Sequence, residues 1–141
     1  MLVGGVWVDA SSGQTYATED PSTGVEICEV PSGGVNDVEQ AVKAARDAAE
    51  DGPWARMTPS QREQLLFKFT ALVEVHADEL AAIESLDNGK PVRFSSTVDV
   101  PACIGHFRYF SGWPTKIRGE TIPVSAIECL NYTVREPIGV V

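Results

Sequence analysis

The sequence lacks any strongly basic stretch. Its 11 lysines and arginines are outnumbered by 20 aspartates and glutamates, which gives a formal net charge of −9. Because phosphate backbones and anionic membranes attract clustered positive charge, this balance makes nucleic acid and membrane surfaces poor partners. The chain also has no apolar run of the roughly 18 residues that a transmembrane helix requires.

Paired cysteines and a targeting segment are absent as well. The three cysteines, Cys28, Cys103 and Cys129, are far apart and form no CxxC motif. The sequence therefore predicts neither a zinc cage nor a disulfide framework, and we expect free thiols that are buried or half-buried. The start of the chain has no basic n-region and is not rich in arginine, so neither a secretory signal nor a transit peptide is indicated. We predict a cytoplasmic protein.

What the sequence does contain begins with a β-rich arm over residues 1–30. Residues 3–8, 14–19 and 25–30 are short segments with the composition and alternation of strands. The intervening sequence DPSTG predicts a tight turn, because the acidic side chain, proline and glycine each favour one position of such a turn.

Two helical patterns follow the arm. The first covers residues 36–51, where Asn36 and Glu39 predict a capping box and a glycine-proline pair ends the helix. The second covers residues 58–87 and begins with Thr58 as the cap and a proline in the first helical position. Its leucine and phenylalanine residues recur every three or four positions and form one apolar face.

The stretch ESLDNGKP, residues 84–91, contains the glycine-lysine pair seen in phosphate-binding loops. Such a loop needs an earlier glycine, and its lysine opens a helix. Here Gly89 and Lys90 close a helical pattern, and Pro91 prevents its continuation. The stretch therefore predicts a helix stop, with Lys90 near the terminal carbonyl groups.

A third helix is predicted over residues 94–112. Pro101 either kinks this helix or lies in the first turn of a helix capped by Asp99. Residues 119–141 then change to extended patterns, which predict strands. The chain ends inside an apolar strand pattern, which is typical of an interrupted domain.

Six stretches stand in the order found in one protein family. They are GVWVDASSGQTYATEDPSTGVEICEV, DVEQAVKAARDAAEDGPWARM, LDNGKP, FRYFSGW, GETIP and REPIGVV. With them, nearly the whole chain resembles the N-terminal part of the aldehyde dehydrogenase superfamily, most closely the cytosolic and mitochondrial branch that acts on simple and retinal-like aldehydes. Asp20 stands where the family commonly has asparagine, and either side chain makes the same turn.

The resemblance implies an α/β fold of which this chain is an incomplete piece. Residues 1–118 would be the N-terminal part of the cofactor-binding domain, with three helices that pack on a Rossmann-like sheet. Residues 119–141 would be the first oligomerisation strands. The implied assembly is a homo-oligomer, either a dimer or a tetramer.

The implied activity is the oxidation of a small-molecule aldehyde to a carboxylic acid with NAD or NADP. In the family a cysteine thiolate attacks the carbonyl, hydride passes to the nicotinamide, and the resulting thioester is hydrolysed. The family's catalytic cysteine, glutamate and asparagine and its cofactor motif have no match in this sequence. We therefore expect no catalytic or cofactor-binding residue here, no cofactor bound to this chain alone and no activity from it.

The resemblance also assigns residues to the entrance for the substrate. Val98, Asp99 and Ala102 match the mouth of the family's substrate tunnel, where the small Ala102 would leave more room than a methionine. The alternative is that these residues only cover a neighbouring sheet.

A second set matches the ligands of a monovalent cation found in some family members. These residues are Thr18, Glu19 and Asp87. A nearby cation would explain an aspartate at the negative end of a helix. The alternative is that Asp87 is simply solvated.

A different class of function stays open, namely a non-catalytic truncated product that acts as a binding or dimerising module. Because the helices have faces suited to a sheet that the chain does not contain, we expect the isolated chain to pack loosely and to self-associate.

Overall fold

The computed structural model describes residues 1–125 and 127–141 of the chain, so that one position of the predicted strand region, Ala126, lies outside the described residues. The β arm is formed by two separate antiparallel hairpins. In the first, β1 (Leu2–Val3) pairs with β2 (Val6–Trp7) across Gly4 and Gly5, which have φ of 59° and 81°. Positive φ at both central residues defines the hairpin turn that suits twisted strands. Residues 3–8 are therefore part of a hairpin, and the prediction of one strand there is wrong.

The second hairpin contains the other two predicted strands. It consists of β3 (Thr15–Glu19) and β4 (Glu26–Pro31), which pair in antiparallel register with a bulge between Thr18 and Glu19. The DPSTG turn connects them, as predicted, and Gly24 has a φ of 70°. This hairpin is the part of the arm that reaches the candidate site.

The helices form the larger part of the chain. They are α1 (Val35–Asp51), α2 (Pro53–Arg56), α3 (Pro59–Val75), α4 (Ala77–Asn88), α5 (Val92–Phe94) and α6 (Val100–Ser111), with a π-helical turn at Ser95–Asp99 between α5 and α6. The predicted helix 58–87 is thus α3 and α4, divided at His76, where φ is −99° and ψ is 18°. The predicted helix 94–112 is α5, the π-helical turn and α6.

The start of α1 differs from the prediction. Gly34, not Asn36, is the cap, and Asp37 rather than Glu39 closes the turn by accepting the Gly34 N–H at 2.8 Å. The other Asp37 carboxylate oxygen accepts the Ser11 N–H at 2.9 Å. Asp37 therefore fixes both the helix start and the loop after β2, and a tertiary contact explains why it is preferred.

The start of α3 confirms its prediction. Thr58 accepts the Gln61 N–H at 3.3 Å, and the Gln61 side chain accepts the Thr58 N–H at 2.8 Å. Two helix-terminal donors are satisfied within one turn, which is why this signal can be read from the sequence alone.

The helices cross at small side chains. Where α3 meets α6, Thr70 and Ser111 are buried with their hydroxyl oxygens 3.3 Å apart. Phe69 and Phe107 pack edge-to-face beside them, with ring centroids 4.9 Å apart. Edge-to-face packing aligns the positive edge of one ring with the negative face of the other, and it stabilises this crossing.

The same principle holds where α4 meets the π-helical turn. The Ser85 hydroxyl donates to the Ser95 hydroxyl at 2.9 Å, and Ser95 is fully buried. Ala81 on α4 is 1% exposed. Small residues let the two backbones approach closely, and each buried hydroxyl finds a partner in the neighbouring helix or in its own.

Most large apolar side chains lie on the surface. The buried hydrophobic residues are Ala10, Ala81 and Val100, while Leu72, Ile83 and Phe110 are each more than half exposed. The chain exposes 11057 Å², whereas a compact folded monomer of its 15.2 kDa mass exposes roughly 7,100 Å². The helices therefore present apolar faces that the described residues 1–125 and 127–141 leave exposed.

The cysteines share this exposure. Cys28, Cys103 and Cys129 are all exposed free thiols, so the prediction that they are buried or half-buried is wrong. That prediction assumed an apolar core large enough to bury the thiols, and the described helices do not enclose one.

The C-terminal segment meets itself at one antiparallel bridge, between Thr121 and Tyr132. The Ile122 N–H donates to the Asn131 carbonyl at 3.0 Å beside it. Within the described part of residues 119–141 no longer strand is formed, and the predicted oligomerisation strands stay a prediction for an assembly. Among the described residues, none of the helices combines the length and the apolar character that crossing a membrane would take.

We predict that Asp37→Ala loosens the start of α1 in a pH-dependent way. Hydrogen bonds from the Gly34 and Ser11 N–H groups lower the pKa of Asp37 below 3.8. A lowered folded-state pKa contributes stability that is present above 3.8 and lost as the pH falls through the folded-state pKa. Hydrogen exchange of the residue 33–40 peptide should be roughly 3- to 10-fold faster in the variant at pH 6.

The ratio of variant to wild-type exchange rates, taken at one pH, should approach one only as the pH falls below the folded-state pKa of Asp37, which itself lies under 3.8. The matched control is Glu39→Ala, because the sequence placed Glu39 in this role and the structure does not. If Glu39→Ala had the larger effect, the assignment of Asp37 would be contradicted.

We also predict that the isolated chain self-associates. The uncovered apolar faces and the extended C-terminal residues should give helical circular dichroism, binding of a dye specific for apolar surface, and oligomers at micromolar concentration by sedimentation. A clean monomer with a sharp cooperative melt would show instead that residues 1–141 are a self-sufficient domain.

Candidate functional site

The DPSTG turn is held by the side chain of Asp20. One carboxylate oxygen accepts the Ser22 N–H at 2.8 Å, and the other accepts the Thr23 hydroxyl at 2.8 Å. These hydrogen bonds, first that of Ser22 and then that of Thr23, lower the pKa of Asp20 below its ordinary value of 3.8. The turn therefore keeps a negatively charged, internally bonded aspartate at neutral pH.

This turn packs against the end of α4, so that the DPSTG and LDNGKP motifs meet in space. Gly89 ends α4 with a φ of 76° and donates its N–H to the Ser85 carbonyl at 3.0 Å, which confirms the predicted helix stop. A side chain at Gly89 would place its first carbon 2.8 Å from the ring of Pro21. Glycine is thus required by the backbone angle and by the neighbouring turn.

A cavity of about 510 Å³ lies between the second hairpin and α4. Thr18 and Asp87, two of the three predicted cation ligands, both line it. Glu19 does not line this cavity, and Glu84 is the second carboxylate there. The other lining residues are Tyr16, Ile27, Cys28, Val30, Leu80, Ile83 and Leu86.

These donors fit a loosely held monovalent ion better than a divalent one. Within residues 1–125 and 127–141, no three His, Cys, Asp or Glu side chains converge as a metal site would need. A hydroxyl and a carboxylate on facing elements can contribute to the oxygen shell of a hard cation, but they do not complete it. The cation site stays a prediction, with Thr18 and Asp87 as its better-placed residues.

Lys90 takes a different partner from the one predicted. Its ammonium donates to the Asp99 carboxylate at 2.5 Å, which joins the end of α4 to the π-helical turn. The hydrogen bond to Asp99 raises the pKa of Lys90 above its ordinary value of 10.5. Lys90 is therefore charged at neutral pH, and its ammonium is paired with the Asp99 carboxylate.

The predicted entrance residues lie on one helix but do not share one cavity. Ala102 lines a shallow cavity of about 540 Å³ on the outer side of α6, together with Gly105, His106, Tyr109 and Phe110. Asp99 lines a separate cavity next to α4, and Val98 is 53% exposed. The structure therefore separates Asp99 from Ala102, and the entrance assignment stays a prediction.

Sequence reasoning missed the two contacts between α4 and the π-helical turn, Lys90 with Asp99 and Ser85 with Ser95. The one local signal was Pro101. Its missing N–H and its ring disturb a regular helix, and the adjacent turn widens so that the Val100 N–H bonds to the Ser95 carbonyl. Pro101 lies in the first turn of α6, as the second alternative predicted, but Asp99 is itself helical and makes no side-chain cap.

Comparisons with known proteins agree with this architecture. The sequence profile described as Aldehyde dehydrogenase family matches residues 7–141. The chain is 46% identical over 143 residues to the mitochondrial aldehyde dehydrogenase family 2 member B4 of Arabidopsis thaliana, covering 99% of this chain and 26% of that protein. It is 41% identical to the cytosolic 10-formyltetrahydrofolate dehydrogenase of Xenopus tropicalis, covering 99% of this chain and 16% of that protein.

The fold agrees equally well. The structure matches the NAD+ complex of the aldehyde dehydrogenase from Bacillus cereus with a TM-score of 0.91 and 43% identity, covering 98% of this chain and 28% of that one. The chain belongs to the aldehyde dehydrogenase family, which confirms the resemblance drawn from the motifs. It spans between 16% and 28% of the length of these relatives and corresponds to their N-terminal region.

We predict that a potassium or sodium salt raises the melting temperature of the protein more than tetramethylammonium does at equal ionic strength. If the Thr18 and Asp87 oxygens hold a cation, a small ion can contact them directly, whereas the methyl groups of tetramethylammonium keep its charge away from them. Asp87→Ala should remove the difference, measured by thermal denaturation. Glu19→Ala is the matched control and should preserve it, since Glu19 lies outside the cavity. Equal melting in all three salts would exclude the site.

Proposed function

We propose that this chain is the N-terminal part of the cofactor-binding domain of an NAD(P)-dependent aldehyde dehydrogenase, an oxidoreductase that converts aldehydes to carboxylic acids. The observation that carries the proposal is the match over residues 7–141, together with the fold shared with an NAD+ complex. The meeting of the DPSTG and LDNGKP motifs at Gly89 supports it, because two separate family motifs complete each other in space.

In this proposal the chain positions other parts and performs no chemistry itself. When bound, NAD or NADP accepts the hydride that leaves the aldehyde-derived adduct. The nucleophilic cysteine, the glutamate that activates water and the asparagine that stabilises the oxyanion belong to regions of the family beyond this one. Cys28, Cys103 and Cys129 are not assigned a catalytic role.

The chain itself contributes apolar faces that cover a sheet, an entrance for the substrate, and strands that join subunits. The apolar faces of α3, α4 and α6 cover the Rossmann-like sheet. Val98 and Ala102 border the entrance for the aldehyde, where Ala102 leaves room for bulky substrates. Residues 119–141 pair with further strands and join subunits into a dimer or a tetramer. The cytoplasm is the proposed location, although the names of relatives include both cytosolic and mitochondrial proteins.

A second candidate is a non-catalytic binding or dimerising module. The uncovered apolar surface favours it, because contiguous exposed apolar area usually marks an interaction surface. Both candidate functions require another protein surface to cover the same apolar helix faces. A measurement of enzymatic activity therefore distinguishes the two candidates, whereas a measurement of association does not.

We predict that the chain alone forms no NADH from aldehyde, whereas a hybrid enzyme does. In the hybrid, this chain replaces the matched N-terminal 28% of the Bacillus cereus aldehyde dehydrogenase. A TM-score of 0.91 means that the two matched backbones follow nearly the same course, which supports exchanging one for the other. The expected result is aldehyde-dependent absorbance at 340 nm from the hybrid, with a kcat below that of the parent enzyme.

The control is a hybrid with Cys28, Cys103 and Cys129 all replaced by serine, which should stay active. Loss of activity in this folded control would mean that one of these thiols takes part in the chemistry. A folded but inactive hybrid, judged by its far-ultraviolet spectrum and NAD binding, would favour the binding module.

A further inference from the structure

The π-helical turn decides which side of α6 faces outward. A π-helical turn contains one residue more than an α-helical turn, and one residue corresponds to roughly 100° of rotation around a helix. If Ser95–Asp99 returned to α-helical form, every residue from Val100 onward would rotate relative to α5. The position of Ala102 on the outer side of α6 therefore depends on this turn.

Two side-chain contacts hold the turn, one from Ser85 on α4 to its first residue and one from Lys90, just after α4, to its last. Ser95, its first residue, accepts from Ser85 at 2.9 Å and is fully buried. Asp99, its last residue, accepts from Lys90 at 2.5 Å. A turn held at both ends cannot change its length without breaking one of these contacts.

The backbone around Lys90 restricts where its side chain can go. Gly89 is in the left-handed conformation that ends α4, and Pro91 has a fixed φ and begins the short helix α5. The Lys90 and Asp99 side chains are 32% and 36% exposed, so the pair is only partly screened by water. Glu84 on α4 adds a second negative charge near the ammonium, which leaves Lys90 between a carboxylate on α4 and one on the turn.

We propose that Lys90 is a positioning residue for the aldehyde entrance: by holding Asp99 it fixes the π-helical turn and thereby the placement of Val98 and Ala102. This inference rests on the proposed function, since it assigns the entrance to those residues. Lys90 itself touches no substrate. Its effect is on aldehyde binding and not on the chemical step.

The test is Lys90→Met in the hybrid enzyme, with propanal as a small aldehyde and benzaldehyde as a bulky one. The KM for benzaldehyde should rise roughly 3- to 5-fold, the effect of losing one partly exposed ion pair, while kcat stays within about 2-fold. The KM for propanal should change less, because a small substrate depends less on the entrance. Lys90→Arg should restore the KM, since it keeps the charge and the donor.

Lys43→Met is the matched control. Lys43 also forms an ion pair, with Asp47 at 2.7 Å, but it lies on α1 and far along the chain from the turn. It should leave both KM values unchanged. Asp99→Asn should give the same change as Lys90→Met, and the double variant should add little, because both remove one interaction.

Hydrogen exchange in the 141-residue chain gives a readout that does not need activity. The Val100 N–H closes the π-helical turn, and it should exchange roughly 3- to 5-fold faster in Lys90→Met than in wild type or Lys43→Met. An unchanged Val100 rate, or a fall in kcat equal to the rise in KM, overturns the inference. An inactive unsubstituted hybrid contradicts the proposed function instead, and the Val100 rate then decides on the contact itself.

Discussion

The structure depends on the close approach of α6 and the π-helical turn to α3 and α4, which small side chains at the crossings make possible. Thr70 meets Ser111 at one crossing, and Ser85 meets Ser95 at the other. A leucine at any of these positions would separate the helix backbones. The hydroxyls remain hydrogen-bonded when buried, since Thr70 also donates to the Leu66 carbonyl and Ser111 to the Phe107 carbonyl. Buried polar groups satisfied in this way carry no large penalty.

Where small residues form the helix crossings, most large apolar side chains lie on the surface. Because serine, threonine and alanine occupy the closest contacts between helices, most leucine and isoleucine side chains stay exposed, although Phe69 and Phe107 pack together where α3 crosses α6. Burial of apolar area at about 25 cal/mol per Å² is the main source of folding free energy, and among the described residues the buried apolar side chains are those of Ala10, Ala81 and Val100. Exposed apolar faces of this kind agree with a chain that covers 28% of its structural relative, and under the proposed function other parts of the family fold would cover them.

Local signals in the sequence predicted the local structure well. The cap at Thr58, the helix stop at Gly89 and the DPSTG turn each depend on hydrogen bonds or backbone angles within a few residues. Predictions failed where a distant group decides. Asn36 is a suitable cap by residue type, but Gly34 is the cap, and Asp37 closes the turn while it also accepts the Ser11 N–H, 26 positions away. Gly4 and Gly5 fall inside the predicted strand 3–8, because the apolar residues beside them dominate the pattern.

In the candidate site, contacts between residues that are distant in the sequence are still harder to predict. No periodicity links Lys90 to Asp99, since their contact needs the fold of α4, the connection through Pro91 and the widened turn before Pro101. The roles of the residues in ESLDNGKP can therefore be assigned only from the folded structure. Gly89 ends α4 and leaves space for Pro21. Lys90 contacts the π-helical turn that precedes α6, and Pro91 directly precedes α5. Gly89 and Lys90 thus bring the end of α4, the DPSTG turn and the π-helical turn together. Their substitution would disturb the hairpin, the cavity beside Asp87 and the outer face of α6 together.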